Sequence, residues 1–177
     1  AIISGQDSGS VTEDQHVLRG KLSTGGTLSV TDPDGAAESR LIPTGTTAGS
    51  LISGDKGLGQ FEVGANGHWN FVANNADPRI QALGRHDALQ DTITVHSVDG
   101  TAHTITVTIN GTNDAPTLAA QSKSVAENGA QLSGRMVATD VDTGDTQAFS
   151  TTAKISGFTL HADGSYTFDP SDAAYQH

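Results

Sequence analysis

The sequence predicts an all-β chain built as two tandem sandwich modules, the second of them truncated. Three observations carry this prediction. An ordered set of motifs occurs twice, apolar and polar residues alternate at period two around Asx-Gly dipeptides, and helix signals are nearly absent. A chain of 177 residues accommodates two all-β units of about 100 residues, one of them incomplete.

The repeat is visible block by block. Val11-Thr12-Glu13-Asp14 matches Val125-Ala126-Glu127-Asn128, Leu18-Arg19-Gly20-Lys21-Leu22 matches Leu132-Ser133-Gly134-Arg135-Met136, and Thr31-Asp32-Pro33-Asp34 matches Thr139-Asp140-Val141-Asp142. FEVGANGHWNF, from Phe61 to Phe71, then matches FTLHADGSYTF, from Phe158 to Phe168. Spacing differs between the blocks: Glu13 to Asp32 is 19 residues and Glu127 to Asp140 is 13, a difference that loops absorb and strand pairing does not. The second copy reaches His177 without a counterpart of Asp91–Asn113. The expected layout is a complete repeat over 1–112, a linker over 113–116 and a partial repeat over 117–177.

Asp91–Asn113 reads as a hairpin. Ile93 and Val95, then Ile105, Val107 and Ile109, alternate with polar residues on either side of an expected two-residue Asp99-Gly100 turn. Asn66-Gly67 and Asp163-Gly164 predict the same turn between Phe61/Val63 and Trp69/Phe71, and between Phe158/Leu160 and Tyr166/Phe168. Trp69 and Tyr166 thus become equivalent core anchors. A short helical turn is expected near Pro78–Leu83, and Pro116 stiffens the linker. The glycine-rich Ser53–Gly59 lacks the spacing of a phosphate loop and reads as a flexible connection.

Charge narrows the function. Twenty acidic residues against nine basic give a net charge of −11, which excludes nucleic acid as a natural partner and favours a neutralising divalent cation. Cysteine is absent, so disulfides and zinc-thiolate sites are excluded and metal is the available staple. No apolar run is long enough to insert in a membrane as a helix. No catalytic constellation is present, and the chain reads as a non-enzyme: the GxSxG and HExxH patterns are missing, and the seven histidines show no short ligand spacing.

Taken together, SGQDSGSVTED, GTLSVTDPDGAAE, GHWNFVANN, IQAL and DTITVHSVDGTAHTITVTINGTNDAP resemble a VCBS repeat, the tandem module of large bacterial RTX-type surface adhesins. The resemblance covers almost all of residues 1–116. VAEN, MVATDVDTGD and ADGSYTF are similar to a cadherin-like variant over about 60 residues of the second copy. What this implies is a series of immunoglobulin/cadherin-like Greek-key sandwiches with Ca2+ near the junctions. Implied too are a secreted protein of the bacterial cell surface, a role as a calcium-stabilised extension and adhesion module active in biofilm formation, and neighbouring repeats of the same chain as partners.

Calcium takes six to eight oxygen ligands from loops, and a DxD pair in extended backbone sets two carboxylates on one side. By the resemblance, Glu13, Asn113, Asp114, Asp140 and Asp142 are the expected inter-repeat ligands. Asp32, Asp34 and Asp99 are expected to form a site at the upper end of the first repeat. Asp87 or Asp91 would supply a further acid at its lower end. Each aspartate has an alternative reading as a turn former, most directly Asp99 beside Gly100. A cell-surface glycan or protein receptor is a further expected partner, and the competing function is a carbohydrate-binding sandwich that uses exposed aromatic rings.

Overall fold

A computed structural model of the chain describes residues 1–44 and 51–176, so His177 lies outside the described residues. Two compact units divide it between Asn113 and Asp114. Both are β-structures, and the chain is a tandem of immunoglobulin-like sandwich modules.

Unit 1 consists of two sheets. β1 (Ile2–Gly5), β3 (Lys21–Thr31), β6 (His68–Asn74), β5 (Gly59–Val63) and β4 (Ile52–Ser53) form the first, in the order β1-β3-β6-β5-β4. β2 (Ser8–Thr12), β8 (Ala102–Asn110) and β7 (Ala88–His96) form the second. The N-terminal segment crosses between sheets, since β1 pairs antiparallel with β3 and β2 then runs parallel to β8. The segment after β3 bridges to the second sheet through Leu41 and Ser97 before the chain returns to the first. Among the described residues the one α-turn, α1 (Pro78–Gln81), is capped by Asp77 and lies where Pro78 predicts it.

Period-two alternation fills the space between the sheets. Leu22, Leu28, Phe61, Val63, Trp69 and Phe71 face inward from the first sheet, and Val11, Ile93, Val95, Ile105, Val107 and Ile109 from the second. Trp69 is fully buried, and its indole Nε1–H donates to the Gln6 carbonyl at 2.7 Å, so it is the core anchor expected of it.

The hairpin turns differ from expectation. Ser97 and Thr101, Gly64 and His68, and His161 and Ser165 each close a three-residue loop through a backbone bond of 2.8–2.9 Å. Only the glycine of each Asx-Gly pair has positive φ (84° to 88°), whereas a two-residue type I′ turn needs positive φ at both central residues. The Asx side chain instead accepts the backbone N–H two residues on: Asp99 from Thr101, Asn66 from His68, Asp163 from Ser165.

Ser53–Gly59 is likewise no loose connection. Asp91 stands on the inward row of β7 with Ile93 and Val95, and its carboxylate accepts the N–H groups of Lys56, Leu58 and Gly59 at 2.8–3.0 Å, and of Thr92 at 3.1 Å. Arg79 adds bonds to the Lys56 and Gly57 carbonyls while paired with Asp77. A fully buried carboxylate is tolerable only with such donors, and it draws the loop into an ordered cradle.

Unit 2 repeats the first sheet alone. β10 (Leu132–Arg135), β13 (Ser165–Phe168) and β12 (Phe158–Leu160) pair in that order, and β9 (Thr117–Leu118) pairs with β11 (Ala138–Thr139). Phe158↔Phe168 and Leu160↔Tyr166 reproduce Phe61↔Phe71 and Val63↔Trp69. The register corrects one repeat match. Tyr166 pairs with Gly134 as Trp69 pairs with Gly26, so Gly134 corresponds to Gly26 and not to Gly20. The cause is steric: a Cβ on Gly134 would lie 2.4 Å from the Tyr166 hydroxyl, and one on Gly26 2.9 Å from the Trp69 Nε1. Among the described residues of unit 2 no hydrophobic side chain is fully buried, and Tyr166 is half-buried beside a groove of about 350 Å³.

Candidate metal centres

Each DxD follows directly on a strand that ends in threonine, and both make the same local turn. Asp34 N–H donates to Asp32 Oδ1 at 2.8 Å, and Asp142 N–H to Asp140 Oδ1 at 3.1 Å. The first aspartate of each pair therefore gives one oxygen to the turn, and the second carboxylate is brought round to its side. In unit 1 Asp32, Asp34 and Glu38 each present an oxygen within 4.8 Å of the others; in unit 2 Asp140, Asp142 and Asp145 do so. Glu38 and Asp145 close motifs already read in the sequence, DPDGAAE and DVDTGD, but were not singled out there.

The two clusters differ in what they hold. In unit 1 the Ala1 ammonium bonds Asp32 at 2.8 Å and also bonds Asp99, so these two expected residues meet around a positive charge. Asp99 further accepts from Ser97 and Thr101. The bonds to Asp32 and Asp99 raise the amino group to about 10, and the same ammonium holds both carboxyls below their usual range. Asp34 is exposed.

In unit 2 Asp142 is only 4% exposed. Its Oδ2 accepts the Asp114 N–H at 2.7 Å, whereas its Oδ1 is buried with no hydrogen-bond partner among the described residues. An unpaired carboxylate oxygen beside Asp140 and Asp145 is costly, and a divalent cation coordinated there would remove both the desolvation and the repulsion. The donor set, all hard carboxylate oxygen, fits calcium.

Each remaining expected residue is described within its own unit. Glu13 is fully buried in unit 1, where its Oε1 accepts the Thr112 N–H at 2.7 Å. Asn113 belongs to unit 1, and Asp114 to unit 2 with Asp140 and Asp142. Asp87 is exposed, its backbone carbonyl accepting from Gly111, and Asp91 is engaged in its loop cradle. Among the histidines, His68 meets Thr27 and His103 meets Asp7 at 3.1 Å.

A sandwich that crosses sheets at its N-terminus, with acidic loops at the strand ends and its aromatic rings committed to packing, defines an immunoglobulin-like module of the cadherin type. Residues 1–111 match the family model of the bacterial cadherin-like domain, and residues 113–176 match that of the bacterial Ig domain. The chain belongs to the bacterial cadherin-like domain family. No curated protein matches it. Such domains are typically non-enzymatic, extracellular surface modules. Among the described residues no helix is long and apolar enough to cross a membrane.

Proposed function

We propose that the chain is a calcium-stabilised extension module of a secreted bacterial surface protein, of the VCBS-type tandem repeats found in RTX-type adhesins, serving cell adhesion and biofilm formation. The observation that carries this reading is the buried, unpartnered Oδ1 of Asp142 beside Asp140 and Asp145. Calcium bound there would neutralise the three carboxylates, with Asp114, Asn113 and Glu13 as the expected further ligands toward the preceding repeat. Asp142 holds the Asp114 N–H through its other oxygen, so the same side chain positions both the ion and the start of the linker. Asp32, Asp34, Asp99 and Glu38 would serve a second ion. Two like charges 4 Å apart repel by about 1 kcal/mol in water and about 4 kcal/mol at an effective dielectric of 20, which is the scale the ion relieves. Neighbouring repeats are the first partners, and a surface glycan or protein receptor the outermost one.

Isothermal titration of the chain with calcium should show binding in the 0.1–1 mM range typical of extracellular modules, on the order of 2.7 kcal/mol of stabilisation at 100 times the dissociation constant. Hydrogen exchange should slow at residues 114–116 and 140–145 when calcium replaces EDTA. Asp142→Asn should remove that protection while the core of unit 1 stays protected. Identical exchange in calcium and EDTA would sink the proposal.

A further inference from the structure

We propose that the free edge of β7 at residues 88–90 is a docking groove for an extended acidic peptide, which pairs there as a further strand. The order β2-β8-β7 leaves β7 at the rim of its sheet. In an antiparallel ladder alternate residues turn their N–H and C=O groups away from the partner strand. On β7 these are the even-numbered residues, since the Thr92 and His96 carbonyls accept the N–H groups of Asp55 and Ile42 at 2.9 and 2.8 Å. The outward backbone groups of Ala88 and Gln90 have no partner among the described residues, and such a pair is a template for another strand.

The loop beside this edge creates the opening. Asp55 pairs with the β7 edge, and the chain then turns inward because the buried Asp91 carboxylate takes the Lys56, Leu58 and Gly59 N–H groups. Arg79 holds the same loop through the Lys56 and Gly57 carbonyls. A cavity of about 820 Å³ is left against residues 88–90, with Leu58 and Leu89 in its apolar lining. These bonds order the wall of the groove without a ligand, which lowers the ordering cost of binding.

Charge selects the occupant. The chain carries −11 overall, yet this cavity is lined by two cations, Lys56 and Arg79, and among the described residues by no acid. Arg79 is paired with Asp77, whereas Lys56 is exposed and enters no ion pair among the described residues. A lysine beside an open edge discourages most strands, because its ammonium must be left in place as the strand packs over it; a strand that carries carboxylates is the one it admits. Main-chain bonds to Ala88 and Gln90 then supply affinity, and the ammonium supplies selection. The groove uses no residue of either acidic cluster.

Nuclear magnetic resonance titration of the isotope-labelled chain with the peptide acetyl-Val-Glu-Val-Glu-Val-Thr-amide tests this, in EDTA so that the outcome is independent of any bound calcium. Saturable shifts should centre on the Ala88 and Gln90 amides. The same peptide methylated at every backbone nitrogen should not bind, because it has lost the donors a strand offers. Lys56→Gln should weaken binding about two- to fivefold, the worth of an exposed ion pair. Lys56→Glu should reverse the preference in favour of the analogue with lysine in place of glutamate. Shifts at these amides that do not saturate would overturn the proposal, as would equal binding of the methylated peptide or, by the parent chain, of the lysine analogue. Concentration-dependent shifts at the same amides without peptide would also overturn it, since a second copy would then be the occupant.

Discussion

Phe61, Trp69 and Phe71 in unit 1 and Phe158, Tyr166 and Phe168 in unit 2 share one strand register, yet the first three are fully buried and the second three are not. The same hairpin forms in both units, although among the described residues of unit 2 the β2-β8-β7 sheet has no counterpart. Local chemistry accounts for this: Asn66-Gly67 and Asp163-Gly164 make the same loop, and Gly26 and Gly134 leave the same room for a ring. What β2, β7 and β8 add in unit 1 is burial. The cluster that contains a buried carboxylate lies in the less packed unit, where Asp142 accepts the Asp114 N–H.

The largest effect that can break this comparison is loss of an equivalent ring. Phe71→Ala should destabilise unit 1 by about 3–5 kcal/mol, as truncation of a packed core phenylalanine does. Phe168→Ala should cost about 1 kcal/mol or less, since its ring already meets solvent. Urea unfolding followed by circular dichroism measures the first, and hydrogen exchange across residues 158–168 the second. Equal losses would mean that unit 2 is packed as tightly as unit 1.

Next in size is Asp91→Ala. It strips the acceptor from the Lys56, Leu58 and Gly59 amides, and at about 1–3 kcal/mol for each donor left unsatisfied the loss should be about 3 kcal/mol or more. The calcium titration of this variant should match the parent. A lost binding event with little loss of stability would instead make Asp91 a ligand.

The smallest effect concerns pH. Asp77, held below the usual aspartate range by its bonds to Arg79, contributes stability above the ordinary aspartate value and loses it as acid protonates the carboxyl in the folded state. The Tm of unit 1 should fall slightly on acidification through that range, and Asp77→Asn should shrink the fall. An unchanged slope in the variant would place its origin elsewhere.

Much of this was legible in the sequence because it is local. Alternation around Asp99-Gly100 marks β7 and β8, the Phe-to-Phe blocks mark the paired hairpins, and both DxD turns depend only on neighbours. The three-residue loops were not legible, since the dipeptide that marks a turn does not state the φ of its Asx. Gly134 was matched to Gly20 because the short motif around it looks alike, whereas the distance to the following Asp, six residues from Gly26 and from Gly134, carries the true register. Asp91 was misleading for a different reason. Its partners lie 32 to 35 residues earlier in a loop whose composition suggests slackness, and only the folded sandwich brings that loop across the carboxylate.

The pairing of β2 with β8 also sets a timetable. Val11 and Asn110 are 99 residues apart, so almost the whole unit must exist before β2 finds its neighbour. A chain that emerges from the ribosome, or is threaded through a pore amino end first, can form β3, β5 and β6 early because their partners are close behind. It cannot close the sandwich until residue 110 has cleared the exit. During that interval Phe61, Trp69 and Phe71 stand uncovered. Non-local closure of this kind is slow, and it keeps a module unfolded while it is still in transit.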